Sequence, residues 1–403
     1  MKLHIAALKA NLFMLFFTSL NAFAVVETTG LQTAPNEKGK LVLDIRSRLE
    51  HVEQNNSLRN ATVSTLRTRL GYRSGSFQGF AGLVEVEDIR AMGNSYNSTS
   101  NGKIRHSVIA DPKSTEINRA YISYAGMFDT AFTYGRQRLI LDNSRFLGNV
   151  GWRQNEQTFD AFKVENTSFT DTKITLAYVD KVHSIFGDDS ERGDVDMQSP
   201  IINIHYKGSP MLNISGYGYF LSFDNDPAAS RQTSGIRVKG EYPLNNVALL
   251  YAAEYARQSD YKDGIADINA DYRHLVAGAR FAAITTEIGY ETLSGDGEYA
   301  FQTPLATGHA FNGWADQFLV TPLNGLTDVY VSANTFFAGI KWKAVYHDFS
   351  ADRGGVDYGN ELNLLIVKNF SKRYTVGLKY ASYSADDFST DTEKIQIYAQ
   401  INI

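Results

Sequence analysis

The chain of 403 residues contains no cysteine, which excludes both a disulfide framework and a thiolate metal site. Proline is also scarce, with 8 residues against 32 glycines. Convincing amphipathic helical patterns are hard to find, whereas soluble domains devote about a third of their residues to helix. These shortages favour an all-β protein.

Long hydrophobic runs are missing after the N-terminal region. No stretch of about 18 apolar residues occurs there, so the sequence excludes a membrane-spanning helix. The formal net charge of −5 at pH 7 is not that of a nucleic-acid-binding protein, which is usually basic. We therefore predict that no nucleic acid is a partner.

The N-terminus is predicted to direct export. Lys2 and Lys9 give a positive n-region, residues 12–20 form a short apolar run, and Ala22-Phe23-Ala24 is an A-x-A cleavage site. The apolar run is too short to span a membrane. Residues 1–24 are therefore predicted to be a secretory signal peptide.

Residues 25–38 show no periodicity and are predicted to form a periplasmic lead, whereas residues 39–403 are predicted to form one β-barrel domain. Apolar and polar residues alternate there with a period of two. The first segment alternates Leu41, Leu43, Ile45 and Leu49 with Asp44, Arg46, Arg48 and Glu50. Many apolar faces end in an aromatic residue, which is typical of a transmembrane barrel. A soluble β-sandwich or propeller is the alternative for any single strand.

The alternating segments number about 18, at roughly 21 residues for each strand with its connection, and about 16 is the alternative. Short predicted turns, as near Gly75 and Gly126, alternate with long connections. The long ones are predicted at 89–112, 138–157, 183–199, 258–270 and 294–326. Because hydrocarbon offers no hydrogen-bond partner, the first strand must pair with the last. We therefore predict an all-β fold, a transmembrane antiparallel β-barrel with long extracellular loops and short periplasmic turns.

Catalytic and metal-site motifs are absent from the sequence. Neither H-E-x-x-H nor G-x-S-x-G occurs. His205, His274 and His347 are interpreted as interior or rim residues, and Asp188-Asp189 and Asp386-Asp387 as solvated loops without EF-hand spacing. We predict no metal, no cofactor and no enzymatic activity. An outer-membrane hydrolase is an alternative supported only by scattered Ser, His and Asp residues.

The polar faces of the strands carry charged residues that are predicted to line the pore. They are Arg46, Arg48, Arg67, Arg69, Glu85, Glu87, Arg119, Arg237, Lys239, Lys341 and Lys343. One interpretation is a solvated lumen cross-linked by ion pairs. The other is a path for anionic solutes, because rings of Arg and Lys favour anions and arginine matches carboxylates. For the group as a whole we favour a preference for anions or acidic sugars.

The connection 138–157 is much longer than a hairpin loop and carries Arg138, Arg145, Arg153 and Trp152. Its aromatic and aliphatic residues argue against disorder. We predict that it folds over or into the pore.

Two long segments are distinctive: GRQRLILDNSRFLGNVGWRQNEQTFDAF, residues 135–162, and YAFQTPLATGHAFNGWADQFLVTPLNGLTDVYV, residues 299–331. Both resemble the alginate-export family of outer-membrane barrels. The resemblance implies an 18-stranded monomeric barrel with an electropositive constriction. The member that gives the family its name exports alginate, a polyuronate.

The resemblance also singles out residues of the two motifs. From the first it implies Arg136, Arg145, Trp152, Arg153, Gln154, Asn155 and Asp160, and from the second Phe311, Asn312, Gly313, Trp314, Ala315 and Asp316. We expect them to pack the long loop against the barrel wall, with Arg–Asp pairs holding it, rather than to contact a solute. Gly148, Gly151 and Gly313 would permit a close backbone approach.

The predicted function is a passive porin-like channel in the outer membrane of a Gram-negative bacterium. Small anionic or sugar-acid solutes would pass an Arg-rich lumen that the inserted loop narrows. A dedicated exporter of an acidic polysaccharide such as alginate is the alternative, and an adhesive or structural barrel is a further one. Predicted partners are outer-membrane lipids, the barrel-assembly machinery and small anionic or saccharide solutes, and the chain is predicted to be a monomer.

Overall fold

The computed structural model describes residues 38–265 and 267–403. The predicted signal peptide lies outside the described residues, as does all but the last residue of the predicted lead. In the described ranges the regular structure consists of 18 strands and the 3-10 turns Pro227–Ala229 and Gly308–Ala310. No helix among these residues is both long enough and apolar enough to cross a membrane.

The strands run consecutively along the chain. They are β1 (Lys40–Gln54), β2 (Ala61–Arg73), β3 (Phe80–Ser95), β4 (Ser114–Met127), β5 (Thr130–Gln137), β6 (Thr158–Asn166), β7 (Thr172–His183), β8 (Asp194–Ser209), β9 (Leu212–Leu221), β10 (Arg231–Leu244), β11 (Val247–Asp260), β12 (Asn269–Phe281), β13 (Ile284–Leu293), β14 (Leu326–Phe337), β15 (Ile340–Ser350), β16 (Asp357–Phe370), β17 (Tyr374–Ala385) and β18 (Thr392–Asn402).

The sheet closes on itself. Each strand pairs antiparallel with its neighbours in sequence, and β1 pairs with β18, with Asp44 opposite Asn402 and Gln54 opposite Thr392. Closure leaves no unpaired sheet edge, as a membrane-spanning sheet requires. The predicted antiparallel barrel is therefore confirmed, and its strand number is 18 rather than 16.

The two-residue period separates an apolar outer face from a polar inner face. On β2, Leu70 and Tyr72 are 56% and 54% exposed, whereas Arg67 and Arg69 are buried. Successive side chains of a strand point to opposite faces, so the sequence pattern translates directly into inside and outside.

Short turns alternate with long connections around the barrel. Residues 138–157, here the first inserted loop, join β5 to β6, and residues 294–325, the second inserted loop, join β13 to β14. The other long connections are shorter than predicted, because their strands continue further: β3 runs to Ser95 and β8 begins at Asp194.

An apolar cluster occupies the interior of the barrel. Phe146 of the first inserted loop and Trp314 and Phe318 of the second are buried in it with wall residues such as Tyr272 and Phe349. The Phe146 ring lies 5.2 Å from that of Tyr272, and the Phe318 ring lies 4.6 Å from that of Phe349. The core is therefore formed between the inserted loops and the wall.

The contact of the outer face with lipid predicts that a charged residue placed on it destabilises the barrel. Leu275 faces outward on β12, and Leu319 belongs to the second inserted loop; both are 55% exposed. Leu275→Lys should lower the free energy of unfolding from lipid vesicles by about 2 kcal/mol or more, because a lysine would face hydrocarbon. Leu319→Lys is the matched control and should change it little. Equal effects in a urea titration would contradict the assignment of the outer face.

Candidate functional site

The first inserted loop is fastened to the wall formed by β1 and β2. Arg46 donates through Nε to Gln154 Oε1 at 2.9 Å and through Nη1 to the Gly151 carbonyl at 3.0 Å. Arg48 Nη1 donates to the Trp152 carbonyl at 2.6 Å. Both arginines face inward, because alternate side chains of β1 point to the same face. The part of the loop that they bind therefore lies inside the barrel.

An aspartate from the connection between β3 and β4 completes this anchor. Asp111 accepts a hydrogen bond from the Gln154 backbone N–H at 2.9 Å and forms an ion pair with Arg48. Gln154 Nε2 also donates to Thr65 Oγ1 at 2.7 Å. Sequence reasoning missed Asp111, since its connection showed no pattern that indicates an inward-facing carboxylate.

Carboxylates neutralise four of the five arginines predicted to line the pore on β1 to β4, whereas the fifth, Arg46, is held by Gln154 and by carbonyl groups of the loop. The ion pairs are Arg48–Glu50, Arg67–Asp44, Arg69–Glu87, Arg69–Glu156 and Arg119–Glu85. This part of the interior is therefore a lattice of ion pairs rather than a row of free cations.

A β-bulge adds a neutral donor to this lattice. Asn118 is an extra residue on β4 opposite Glu85, so that both it and the following Arg119 are buried inside. Asn118 Nδ2 donates to Glu85 Oε1 at 2.7 Å and to Glu156 Oε1 at 2.8 Å. Burial alone would raise the pKa of Glu156 in the loop, but Arg138 and Arg69 hold it well below its usual value. Glu156 is therefore ionised.

The first inserted loop also reaches the opposite wall. Arg145 Nε lies 2.8 Å from Glu291 Oε1 on β13, and Arg145 Nη2 donates to Asn312 Oδ1 at 2.9 Å. Its guanidinium carbon lies 4.8 Å from the centre of the Phe311 ring. Since residues 151–154 are bound to β1 and β2, the loop crosses the lumen.

The second inserted loop is held by β16. Glu361 Oε1 accepts the backbone N–H groups of Trp314 at 2.5 Å and of Ala315 at 2.8 Å. Gly313 precedes them with φ of 83°, and a Cβ there would collide with the Glu361 carboxylate. The close approach expected at Gly313 is thus a feature of this anchor.

Asp316 joins the two inserted loops to the wall. It accepts Arg153 Nη2 at 3.1 Å and Lys394 Nζ at 2.7 Å, and it lies 2.6 Å from His309 Nδ1. The His309 ring stacks on that of Trp152 with centroids 5.3 Å apart and planes 5° apart. The motifs that the resemblance singled out therefore meet at one junction.

His309 is neutral at this junction. Burial lowers its pKa to about 3, and Lys379 adds to this effect against the opposing carboxylate of Asp316. The neutral ring has one donor and one acceptor, which suits its neighbours: Nδ1–H donates to Asp316, and Nε2 accepts from Lys379 Nζ at 2.5 Å.

Arg136 and Asp160 do not belong to the interior. They form an ion pair at 3.1 Å between β5 and β6, and Arg136 lies on the same outward face as Tyr134, which is 63% exposed. This Arg–Asp pair joins two strands at the root of the loop, whereas the pair Arg153–Asp316 connects the loop to the interior. Asn155 belongs to the first inserted loop, and its Nδ2 donates a hydrogen bond to the Ser184 carbonyl at 3.4 Å.

A family model described as alginate export matches residues 42–312. The chain belongs to the alginate export family. The first predicted motif lies wholly within the match, whereas the match ends inside the second. No curated protein matches the sequence.

Solved porin-type structures share the fold of this chain. It superposes on OccAB4 of Acinetobacter baumannii with a TM-score of 0.74 at 12% identity, covering 91% of this chain and 98% of that one. For OccD3 (OpdP) of Pseudomonas aeruginosa the values are 0.65 and 17%, covering 90% and 91%. For the outer membrane protein opdK of the same species they are 0.68 and 13%, covering 91% and 98%. The chain therefore has a porin-like outer-membrane channel fold.

The inward-facing lysines of the barrel differ from its arginines in their partners. Lys239 on β10 and Lys341 and Lys343 on β15 are half-buried, and Lys207 near the end of β8 is exposed. Within residues 38–265 and 267–403 none of their ammonium groups forms an ion pair. All four lie toward the short-turn ends of their strands. Arg237, by contrast, lies 3.2 Å from Glu254.

One group of side chains has the composition of a metal site. Donor atoms of His183, Asp188 and Asp194 lie within 4.8 Å of one another. The two ring nitrogens of His183 already lie 2.7 Å from Asp194 and 2.8 Å from Asp160, so hydrogen bonds account for its position.

Loss of the Arg153 anchor should destabilise the barrel. Arg153→Ala would leave Glu50 and Asp316 without one buried partner, and we expect a loss of about 3 kcal/mol in the free energy of unfolding. Arg90→Ala is the control, since Arg90 pairs with Asp88 on the exposed surface, and should cost about 0–1 kcal/mol. Urea titration of the refolded proteins measures both; similar losses would contradict the anchoring role.

The pKa of His309 predicts a pH dependence. Between the ordinary value of 6.5 and about 3, the unfolded chain binds a proton that the folded chain does not. The stability due to this residue is therefore intact above pH 6.5 and falls by about 1.4 kcal/mol per pH unit below it. The difference in unfolding free energy between the wild type and His309→Gln should be constant above pH 6.5 and shrink below it. A difference independent of pH would contradict a neutral His309.

Proposed function

We propose that the protein is a passive outer-membrane channel for small anionic or sugar-acid solutes. A closed 18-stranded barrel and membership of the alginate export family support a channel. The inserted loops lie inside it and narrow the path, as the buried contacts of the first inserted loop with Arg46 on one wall and, through Arg145, with Glu291 on the other suggest. The direction of transport follows the concentration gradient, since a barrel of this kind carries no energy source.

The observation that carries the preference for anions is the set of inward-facing lysines without acidic partners. Lys207, Lys239, Lys341 and Lys343 border the periplasmic half of the lumen and keep their charge uncompensated by ion pairs within the described ranges. Fixed positive charge along a pore lowers the energy of anions there and raises that of cations.

The arginines have a different role in this proposal. Arg46, Arg48, Arg67, Arg69 and Arg119 are occupied by carboxylates or by carbonyl groups of the first inserted loop. Arg46, Arg48 and Arg69 fix the loop that narrows the channel, and lysines meet the solute. This favours the ion-pair interpretation for the arginines and the solute-path interpretation for the lysines.

The outer face supports the proposed location in the outer membrane of a Gram-negative bacterium. Leu275, Ile288 and Val331 are more than half exposed on neighbouring strands and would contact lipid. A monomer inserted by the barrel-assembly machinery is part of the same proposal, as is the absence of catalysis.

Export of an acidic polysaccharide such as alginate is the second candidate, favoured by the family match over residues 42–312. The first inserted loop weighs against it, because it is bound at both walls through Arg46 and Arg145. A polymer would need these buried contacts to break for each passage, whereas small solutes would not.

Planar-bilayer recording tests the proposed channel. The purified protein should conduct, and its reversal potential under a KCl gradient should show selectivity for chloride. Replacing Lys341 and Lys343 together by glutamine should weaken that selectivity, because it removes two uncompensated charges.

The matched control is Lys368→Gln. It removes a lysine at a similar distance from a short turn, but on the outer face of β16, where Nζ lies 5.0 Å from the Phe370 ring centre. Its reversal potential should equal that of the wild type. Absence of conductance, or selectivity for potassium, would refute the proposal.

A further inference from the structure

The tip of the first inserted loop places a carboxylate against the wall formed by β8 to β10. Asp142 Oδ2 accepts a hydrogen bond from Asn203 Nδ2 on β8 at 2.6 Å. Asp142 has φ of 52°, a left-handed conformation uncommon for residues other than glycine, asparagine and aspartate. The loop therefore presents this side chain to the wall from a tight turn.

The wall around Asp142 is basic. Lys239 lies opposite Asn213 on β9, and Asn213 lies opposite Lys207 on β8, so the two lysines share one inward-facing row across three strands. The charge of Lys239 interacts with the charges of both Asp142 and Lys207. His205, two residues from Lys207 on the same face, is within range of Asp142 as well.

The neighbouring cations are already neutralised. Arg237 lies 3.2 Å from Glu254, and Lys173 forms an ion pair with Glu165. Lys207 and Lys239 have no such partner in the described part of the chain, and Asp142 is the acidic group whose field acts on Lys239. The carboxylate that acts on Lys239 is itself bound to Asn203, so neither ammonium group has an ion pair within the described residues.

We propose that Lys207, Lys239 and His205 form a carboxylate-binding site. This proposal rests on the proposed function and adds where in the channel the solute binds. Asp142 is a tethered carboxylate at the edge of this site and competes with the carboxylate of an incoming sugar acid. Lys207 is exposed and Lys239 half-buried, so a solute in the periplasmic half of the lumen reaches both.

The competition sets the affinity. An incoming carboxylate gains attraction from the two ammonium groups and meets repulsion from Asp142, each of modest size because the site is solvated. Weak binding suits a channel, in which a solute must leave as readily as it enters. A neutral sugar gains nothing from the ammonium groups.

The experiment measures the block of potassium chloride current by glucuronate in a planar bilayer, with glucose as the neutral probe. Lys239→Gln and Lys207→Gln should each raise the half-blocking glucuronate concentration about threefold to fivefold. Asp142→Asn should lower it by a similar factor, because the amide keeps the shape of the side chain and removes the competing charge. Glucose should not block any of these channels.

The control is again Lys368→Gln, which removes a lysine from the outer face and should leave the block unchanged. The proposal fails if Asp142→Asn weakens or does not alter the block, or if Lys239→Gln acts no more strongly than Lys368→Gln. A glucose block equal to that of glucuronate would also overturn it.

Failure of this site and failure of the channel differ in their results. If the wild type selects chloride but the substitutions at Asp142, Lys207 and Lys239 leave glucuronate block unchanged, the channel stands and this site is refuted. If the wild type does not conduct or selects potassium, both are refuted. Circular dichroism and heat-modifiable migration of each variant on a gel confirm that the barrels compared are folded.

Discussion

A sheet that crosses hydrocarbon must satisfy its backbone N–H and C=O groups within itself. Pairing β1 with β18 meets this requirement, and the period of the strands then divides all side chains into an outer and an inner set. Because the outer set contacts lipid, charged residues collect inside. The crowded charges of the interior, and the loops that neutralise them, follow from this one constraint.

The inserted loops act as counter-ions and as hydrogen-bond acceptors for the wall. The carbonyl groups of Gly151 and Trp152 accept from Arg46 and Arg48, and Glu156 pairs with Arg69. A buried ion pair adds little net stability once desolvation is counted, but an unpaired partner is costly. Such pairs therefore specify where the loop lies more than they strengthen the barrel.

The strands and the first inserted loop could be predicted from the sequence, because alternation and connection length are local properties. The outward position of Arg136 could also be predicted, since Arg136 is two residues from Tyr134 on the same strand and therefore lies on the same face. The anchors of the second inserted loop were not: Glu361 meets Trp314 and Lys394 meets Asp316 only through the register around the closed sheet. Strand ends such as Ser95 escaped prediction because the ladder continues where alternation of hydrophobicity stops.

Attachment of residues 138–157 to both walls has a mechanical consequence. A hollow cylinder of strands resists bending along its hydrogen bonds, but lateral pressure can flatten its cross-section into an ellipse. A segment tied to Arg46 on one side and, through Arg145, to Glu291 on the other works as a crossbeam against that deformation. The segment that crosses the lumen thereby also joins opposite walls of the barrel.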